Sequence, residues 1–325
     1  MPKIEEKKLP VLVVDLGGTK IITAIISPLG EIIARNYQPT LASEGLQLVI
    51  ERLISGIDHL LRQNNLSPSQ LSAISIAAAG IIDIKKGIIT EAPNLPGWRN
   101  IPLRSIVEER YKIPTFLIND ADAAALGEHR FGAGRGLNNL ILLTLGTGVG
   151  GGIIINGKLY LGSTGSAAEI GHTIVEVNGP KCRCGNIGCL ETLASGTAIA
   201  EEAVSRIRQG SKSSLSEIMK GKIEDITAEK VYLAAKNGDS LALEVITRAA
   251  YYLGIASVNL VNIFNPEMII IGGSVAEMGD LLLEPVRQMV RERAFPLLAQ
   301  AVRIVPAQLG NDAGIFGAAI FALEH

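Results

Sequence analysis

The chain has 325 residues, with 47% hydrophobic content, 30 lysines and arginines, 32 aspartates and glutamates, and a formal net charge of −2. That length exceeds what one hydrophobic core usually serves, so two domains are expected, and the balanced charge argues against nucleic acid as a partner. No apolar run is read as a bilayer span, and the mixed-charge N-terminus Met1–Lys8 lacks the apolar region of a secretory signal, so the expected location is cytoplasmic, with no membrane partner.

Val11–Asp15 is a β-branched run that leads into Leu16-Gly17-Gly18-Thr19-Lys20 and resumes as Ile21–Ile26. Strand, glycine-rich turn, strand reads as a hairpin. A Gly-Gly pair there serves a tight turn. It also suits a phosphate cradle, with exposed backbone N–H groups, the Thr19 hydroxyl as a donor and Asp15 to hold a metal. Glu31–Tyr37 reads as a third strand and 45–63 as an amphipathic helix. Leu71–Ala79 reads as a buried strand, followed by a hairpin around Lys85-Lys86-Gly87. The loop Glu91-Ala-Pro93-Asn94-Leu95-Pro96-Gly97-Trp98 carries the only tryptophan. It fits either a packed surface loop or a pocket wall. Ile101–Tyr111 is expected to be a helix.

Pro114–Ile118 is a further strand, followed by Asn119-Asp120-Ala121-Asp122 and an alanine-rich helix over 123–129. Asx residues between strand and helix are ordinary N-caps. Acids at the carboxyl end of a strand also stand where α/β folds place chemistry. Asn139–Leu145, then Gly146-Thr147-Gly148-Val149-Gly150-Gly151-Gly152, then Ile153–Ile155 repeats the strand–turn–strand unit of the N-terminus. Two such units suggest an internally duplicated fold and strengthen the phosphate reading of both. Helical patterns dominate from Gly196 to about Asn262. A buried strand, Pro266–Ile271, then ends in Gly272-Gly273-Ser274, where glycine would let a flat nucleoside approach the backbone. A helix is expected soon after. Val302–Pro306 is the last strand, and 310–314 opens a glycine- and alanine-rich helix.

All three cysteines of the chain lie between Glu169 and Glu191, as Cys182-Arg-Cys184 and Cys189. Thiolates are soft anionic ligands, and three in one glycine-containing loop point to zinc. His172 is the fourth ligand expected, since His59, His129 and His325 lie far away in sequence. Four protein ligands leave no open position, so such a zinc is structural, fixing the loop that carries the carboxylates Glu169 and Glu191.

Asp15-Leu-Gly17-Gly18-Thr19-Lys20, Asn119-Asp120, Leu145-Gly146-Thr147-Gly148-Val149-Gly150-Gly151-Gly152, Glu169-Ile-Gly-His172 and Cys182-x-Cys184-Gly-x-x-Gly-Cys189-Leu-Glu191 together resemble the ROK family of sugar kinases and repressors. The resemblance runs from about Val11 to the C-terminal helix. It implies an α/β architecture of two ribonuclease H-like domains, the actin-like ATPase fold, with an interdomain active-site cleft. The expected domains are 1–118 with about 312–325, and 119–311 carrying the zinc loop. It further implies Asp120 as catalytic base, and Asn119, Glu169, His172, Glu191 and Asn94 as the residues around the sugar. Asp15, Gly17, Gly18, Thr19, Lys20, Thr147 and Gly148 match the phosphate loops. Gly272 and Gly273 match the adenosine site.

The activity implied is ATP- and Mg2+-dependent phosphorylation of a hexose, glucose first, with zinc as structural metal and a homodimer as the family habit. An N-acetylmannosamine or other N-acetylhexosamine kinase is the alternative. A DNA-binding repressor of the same family needs a helix-turn-helix ahead of the first strand, and about ten residues precede Val11 here. A sugar sensor with a dead site conflicts with the intact Asp120 and both glycine-rich turns.

Overall fold

The computed structural model describes residues 9–92 and 95–325, and Asn94 lies outside them. The chain forms two compact units. The first holds the described residues up to Arg135 together with Leu159–Ala168 and Asn311–His325; the second holds Gly136–Lys158 and Glu169–Gly310.

In the first unit Val11–Leu16 (β1) pairs antiparallel with Lys20–Ile26 (β2), and Ile32–Pro39 (β3) adds to the outer side of β2. Leu46–Gln63 (α1) carries the chain back to Ala73–Ala78 (β4), parallel to β1. A small antiparallel sheet of Ile81–Asp83 (β5), Ile88–Glu91 (β6) and Arg99–Ile101 (β7) intervenes. Leu103–Tyr111 (α2) then leads into Thr115–Asn119 (β8), parallel to β4, and Asp120–Arg130 (α3) follows at once. The expected helix over 101–111 therefore starts two residues later, because Arg99–Ile101 pairs with β6.

The main sheet has the order β3-β2-β1-β4-β8. It is covered on both faces, which is why β1 and β4 read as unbroken apolar runs. Leu12, Val14 and Leu16 join a core with Val49, Leu53 and Ile57 of α1 and Leu103 and Val107 of α2. Val11 and Val13 point the opposite way by strand alternation and are equally buried. That face is closed by the C-terminal helix Ala313–Glu324, which packs on β1, β4, β8 and α3. Trp98 belongs to the core on the α1 side, so its loop is anchored inward.

The second unit repeats this plan. Leu140–Leu145 (β9) and Val149–Ile155 (β10) form the hairpin, with Lys158–Leu159 (β11) beside β10. Glu191–Ala194 (α4), Gly196–Arg208 (α5), Ser214–Ile218 (α6), Ala228–Lys236 (α7) and Ser240–Phe264 (α8) come before Met268–Gly272 (β12), which is parallel to β9. Asp280–Arg293 (α9) and Pro296–Ala301 (α10) lead to Arg303–Pro306 (β13), parallel to β12. The order β11-β10-β9-β12-β13 is strand for strand that of the first sheet. The duplication suggested by the two glycine-rich hairpins is thus a duplication of whole sheets.

At 25 residues α8 is long and apolar enough to cross a bilayer by length and composition, which the sequence reading missed. Most of its apolar stretch is buried inside the unit, where it packs on α4, α5, α7 and α9.

The chain leaves the first unit after Arg135, not after Ile118, because α3 lies along the C-terminal helix. The two backbones approach so closely that a Cβ on Gly317 would overlap the Ala123 carbonyl. Backbone cannot swing away as a side chain can. Gly317→Ala should therefore destabilise the protein by about 1–3 kcal/mol in urea unfolding, although alanine is by itself the better helix former.

Candidate active site

The parallel strands β1, β4 and β8 all end at one edge of the first sheet. Asp15 pairs in register with Ala77, and Asn119 with Ala78, so Asp15 and Asp120 stand at strand ends two strands apart, roughly 10 Å in backbone terms. Small alanines occupy the end of the strand between them. The two carboxylates are close enough to influence each other. Burial first, and the Asp120 charge second, push the Asp15 carboxyl up to about 7, against the opposing pull of Lys20. Burial also raises Asp120, partly offset by the Ala121 backbone N–H, which donates to its Oδ1 at 2.9 Å.

Asn119 is the N-cap of α3. Its Oδ1 accepts from Ala121 N–H (2.8 Å) and Asp122 N–H (3.2 Å), while its Nδ2 donates to the Gly80 carbonyl (3.0 Å). The ordinary capping reading of this Asx pair therefore holds, and the same cap fixes the orientation of Asp120.

The first glycine-rich turn is closed by the Gly17 N–H donating to the Lys20 carbonyl (2.9 Å). Thr40, fully buried, clamps it from outside: its hydroxyl donates to the Gly17 carbonyl (2.7 Å) and its N–H to the Thr19 carbonyl (2.9 Å). Thr40 lies beyond β3 with no pattern around it, so no sequence signal marks this role. Thr19 itself is exposed, and Lys20 Nζ donates to Asn311 Oδ1 at 2.9 Å.

In the second unit the turn Gly146–Gly148 is held by the start of α5. The Gly196 N–H donates to the Gly146 carbonyl (2.7 Å) and the Thr197 hydroxyl to the Thr147 carbonyl (2.8 Å), while Ser195 caps the helix. Thr147 is left exposed. Gly273, at the end of β12, has φ +84°, and a Cβ there would overlap the Leu145 carbonyl. The Gly272-Gly273 step is therefore laid directly against the strand that feeds the turn. A 3-10 turn, Ser274–Met278, follows, and the helix expected soon after begins at Asp280.

Glu169, exposed, precedes a short 3-10 turn, Ile170–His172, and follows Ala168, held at φ +63°. Glu191 opens α4, and its Oε2 accepts the Val149 N–H at 3.0 Å. Between them the Nδ1/Nε2 and Sγ atoms of His172, Cys182, Cys184 and Cys189 all lie within 4.8 Å of one another. His172 Nδ1 stands 3.6 Å from Cys182 Sγ, and Cys184 Sγ stands 3.7 Å from Cys189 Sγ. A tetrahedral zinc bonded at about 2.3 Å to sulfur and about 2.1 Å to nitrogen needs ligand separations of roughly 3.8 and 3.6 Å. These two pairs match that spacing, and the four-donor set is compatible with a tetrahedral zinc. Burial and then the neighbouring Cys184 and Cys182 thiols push the Cys189 thiol up to about 12, whereas the Asn186 backbone N–H draws the Cys184 thiol below its usual range.

Two duplicated ribonuclease H-like sheets, each with a glycine-rich hairpin at the strand ends, define a two-domain actin-like ATPase fold of the sugar-kinase type. The ROK family model matches residues 11–325, and the chain belongs to the ROK family. A glucokinase of Halalkalibacterium halodurans is 43% identical over 305 residues, spanning 94% of this chain and 92% of that one. A xylose repressor of Caldicellulosiruptor bescii is 36% identical over 94% of this chain and 75% of its own length. A crystal structure of a ROK family glucokinase from Streptomyces griseus, in complex with glucose and AMPPNP, superposes with a TM-score of 0.84 at 35% identity, covering 97% of this chain and 100% of that one.

Asp15 gives a direct test of the edge electrostatics. With its carboxyl held near 7 in the fold and near 3.8 when unfolded, the unfolded chain loses its proton first, so stability falls as pH rises between those values. Asp15→Asn should therefore raise the melting temperature of the ligand-free protein clearly at pH 8 and hardly at all near pH 4. Thermal melts at both pH values check it.

Proposed function

We propose that the protein transfers the γ-phosphoryl group of ATP to the 6-hydroxyl of a hexose, converting glucose to glucose 6-phosphate. The observation that carries this reading is the oriented Asp120 carboxylate at the strand ends, with Asp15 and a glycine-rich turn on the same edge. The chain as a whole is similar to relatives described as glucokinases over nearly their whole length.

In this reading Asp120 accepts the proton of the 6-hydroxyl while that oxygen attacks the γ-phosphorus and ADP departs. Its raised proton affinity suits a base that must hold the proton through the transfer. Asn119 keeps Asp120 in place and retains one amide proton for a sugar hydroxyl. Glu169, Glu191 and His172 bind further hydroxyls, the carboxylates accepting and the imidazole N–H left free by the metal donating. Gly17, Gly18, Thr19, Thr147 and Gly148 supply backbone and hydroxyl donors for the phosphates. Gly272 and Gly273 take the adenosine.

Asp15 would hold Mg2+, and the fit is electrostatic: a buried carboxylate beside a second one gains from a divalent cation. Bound there, Mg2+ would neutralise phosphate charge. Zinc would be held by His172, Cys182, Cys184 and Cys189 as a closed structural site, leaving the other imidazole nitrogen for the sugar. A cytoplasmic homodimer completes the reading, since a reducing compartment keeps the thiols available to the metal.

The test is ADP release from Mg-ATP with glucose, mannose, fructose, N-acetylglucosamine, N-acetylmannosamine and no sugar. Glucose should dominate, and Asp120→Asn should lower kcat by at least ~1000-fold while glucose binding by calorimetry stays within a few-fold. Preference for an acetylated sugar would replace glucose as the substrate, and no turnover with any sugar would remove the kinase reading. For the metal, purified protein should carry about one zinc per chain by elemental analysis. Cys184→Ala should lose it and weaken glucose binding, whereas unchanged metal content would overturn the assignment.

A further inference from the structure

Glu191 faces two ways. Its Oε2 accepts the Val149 N–H at 3.0 Å, and Val149 is the first residue of β10, immediately after the turn Gly146-Thr147-Gly148. The carboxylate lies so tightly against that turn that a Cβ on Gly148 would overlap Oε2. A carboxylate accepting a backbone N–H is among the stronger hydrogen bonds available to a protein, and here it is partly buried.

The backbone that carries this side chain is itself held. Glu191 lies two residues beyond Cys189, whose backbone bridges to Ile174, and the Leu190 N–H donates to the Thr173 carbonyl at 3.0 Å. The turn is held from the other side by the Gly196 N–H and the Thr197 hydroxyl. The hairpin is thus gripped between α5 and Glu191, and only the Glu191 grip comes from a side chain also suited to a sugar.

We propose that Glu191 is a positioning residue for the nucleotide as well as a sugar ligand: its Oε2 sets the Gly146–Val149 turn for the phosphates, and its Oε1 meets the sugar hydroxyl. A sugar bound at Oε1 fixes the carboxylate, and the fixed carboxylate fixes the turn. Sugar and nucleotide then bind with positive coupling, each tightening the other by the same factor. The inference rests on the kinase reading of the turn and of Glu191.

The test is calorimetric binding of Mg-AMPPNP, with and without saturating glucose, to the wild-type chain, E191A and E191Q. In the wild type glucose should tighten nucleotide binding by about 5- to 100-fold. Without sugar, E191A should bind nucleotide at least ~10-fold more weakly, because the Val149 N–H loses its charged acceptor. E191Q can still present an amide oxygen to that N–H. It should bind nucleotide alone within ~3-fold of the wild type yet show no tightening by glucose. Amide exchange at Val149 should be slow in the wild type and E191Q and fast in E191A.

If E191A binds nucleotide as tightly as the wild type, Glu191 serves the sugar only and the inference is overturned. If E191A does not fold, E191Q decides: full coupling retained in E191Q overturns the inference, and coupling lost with nucleotide affinity kept supports it. A wild-type chain that binds no Mg-AMPPNP overturns the kinase reading, and this inference with it. A wild-type chain that binds it with no effect of glucose overturns the inference alone.

Discussion

Two partly buried carboxylates share one edge of the first sheet, and much of the unit serves to hold them there. Burial lifts both carboxyls above their usual range, and the Asp120 charge adds to the rise at Asp15. That burial is tolerated because the scaffold is stiff. The strands under them are buried on both faces, the strand between them ends in alanines, and α3 is capped by Asn119 directly beside Asp120. A cation or a proton acceptor role relieves the strain that the fold maintains.

The second unit solves a related problem with different means. Its glycine-rich turn has no buried acid beneath it. It is held by hydrogen bonds from α5 and by the Glu191 carboxylate. That carboxylate follows the Cys3His cluster, in which the loop 181–187 is mostly exposed and has little apolar burial of its own to define it. Three thiols and an imidazole lie there with their ligand atoms within 4.8 Å of one another. The Ile170–His172 turn brings His172 into this cluster, and the carboxylates Glu169 and Glu191 flank it in sequence.

Part of this was legible residue by residue. The apolar runs at 11–16 and 268–272, the long period of α1 and the paired Gly-rich hairpins declare themselves through patterning, since strand and helix burial leave different periods in sequence. The cysteine cluster was legible because thiols are rare and all of them sit in one loop. Thr40 and Thr197 were not legible. Each is a single hydroxyl whose role depends on what lies opposite it, 23 and 50 residues away along the chain. Strand β7 was missed because three residues, two of them exposed and polar, carry no alternation, and only pairing with β6 makes them a strand.

By itself the sequence determined most local elements, the two glycine-rich turns, the cluster of three cysteines and a histidine, and the acids at strand ends. Each of these is a matter of residue type and short-range spacing. Tertiary structure decided the rest. It set the extent of the first unit, because α3 finds its partner in a helix nearly two hundred residues away, with Gly317 allowing the backbones to meet. It raised the Asp15 carboxyl, because desolvation and the field of Asp120 exist only once β1 and β8 share a sheet. It also gave the Glu191 carboxylate the Val149 N–H as a partner, since a backbone N–H becomes a specific donor only when the chain folds a carboxylate against it.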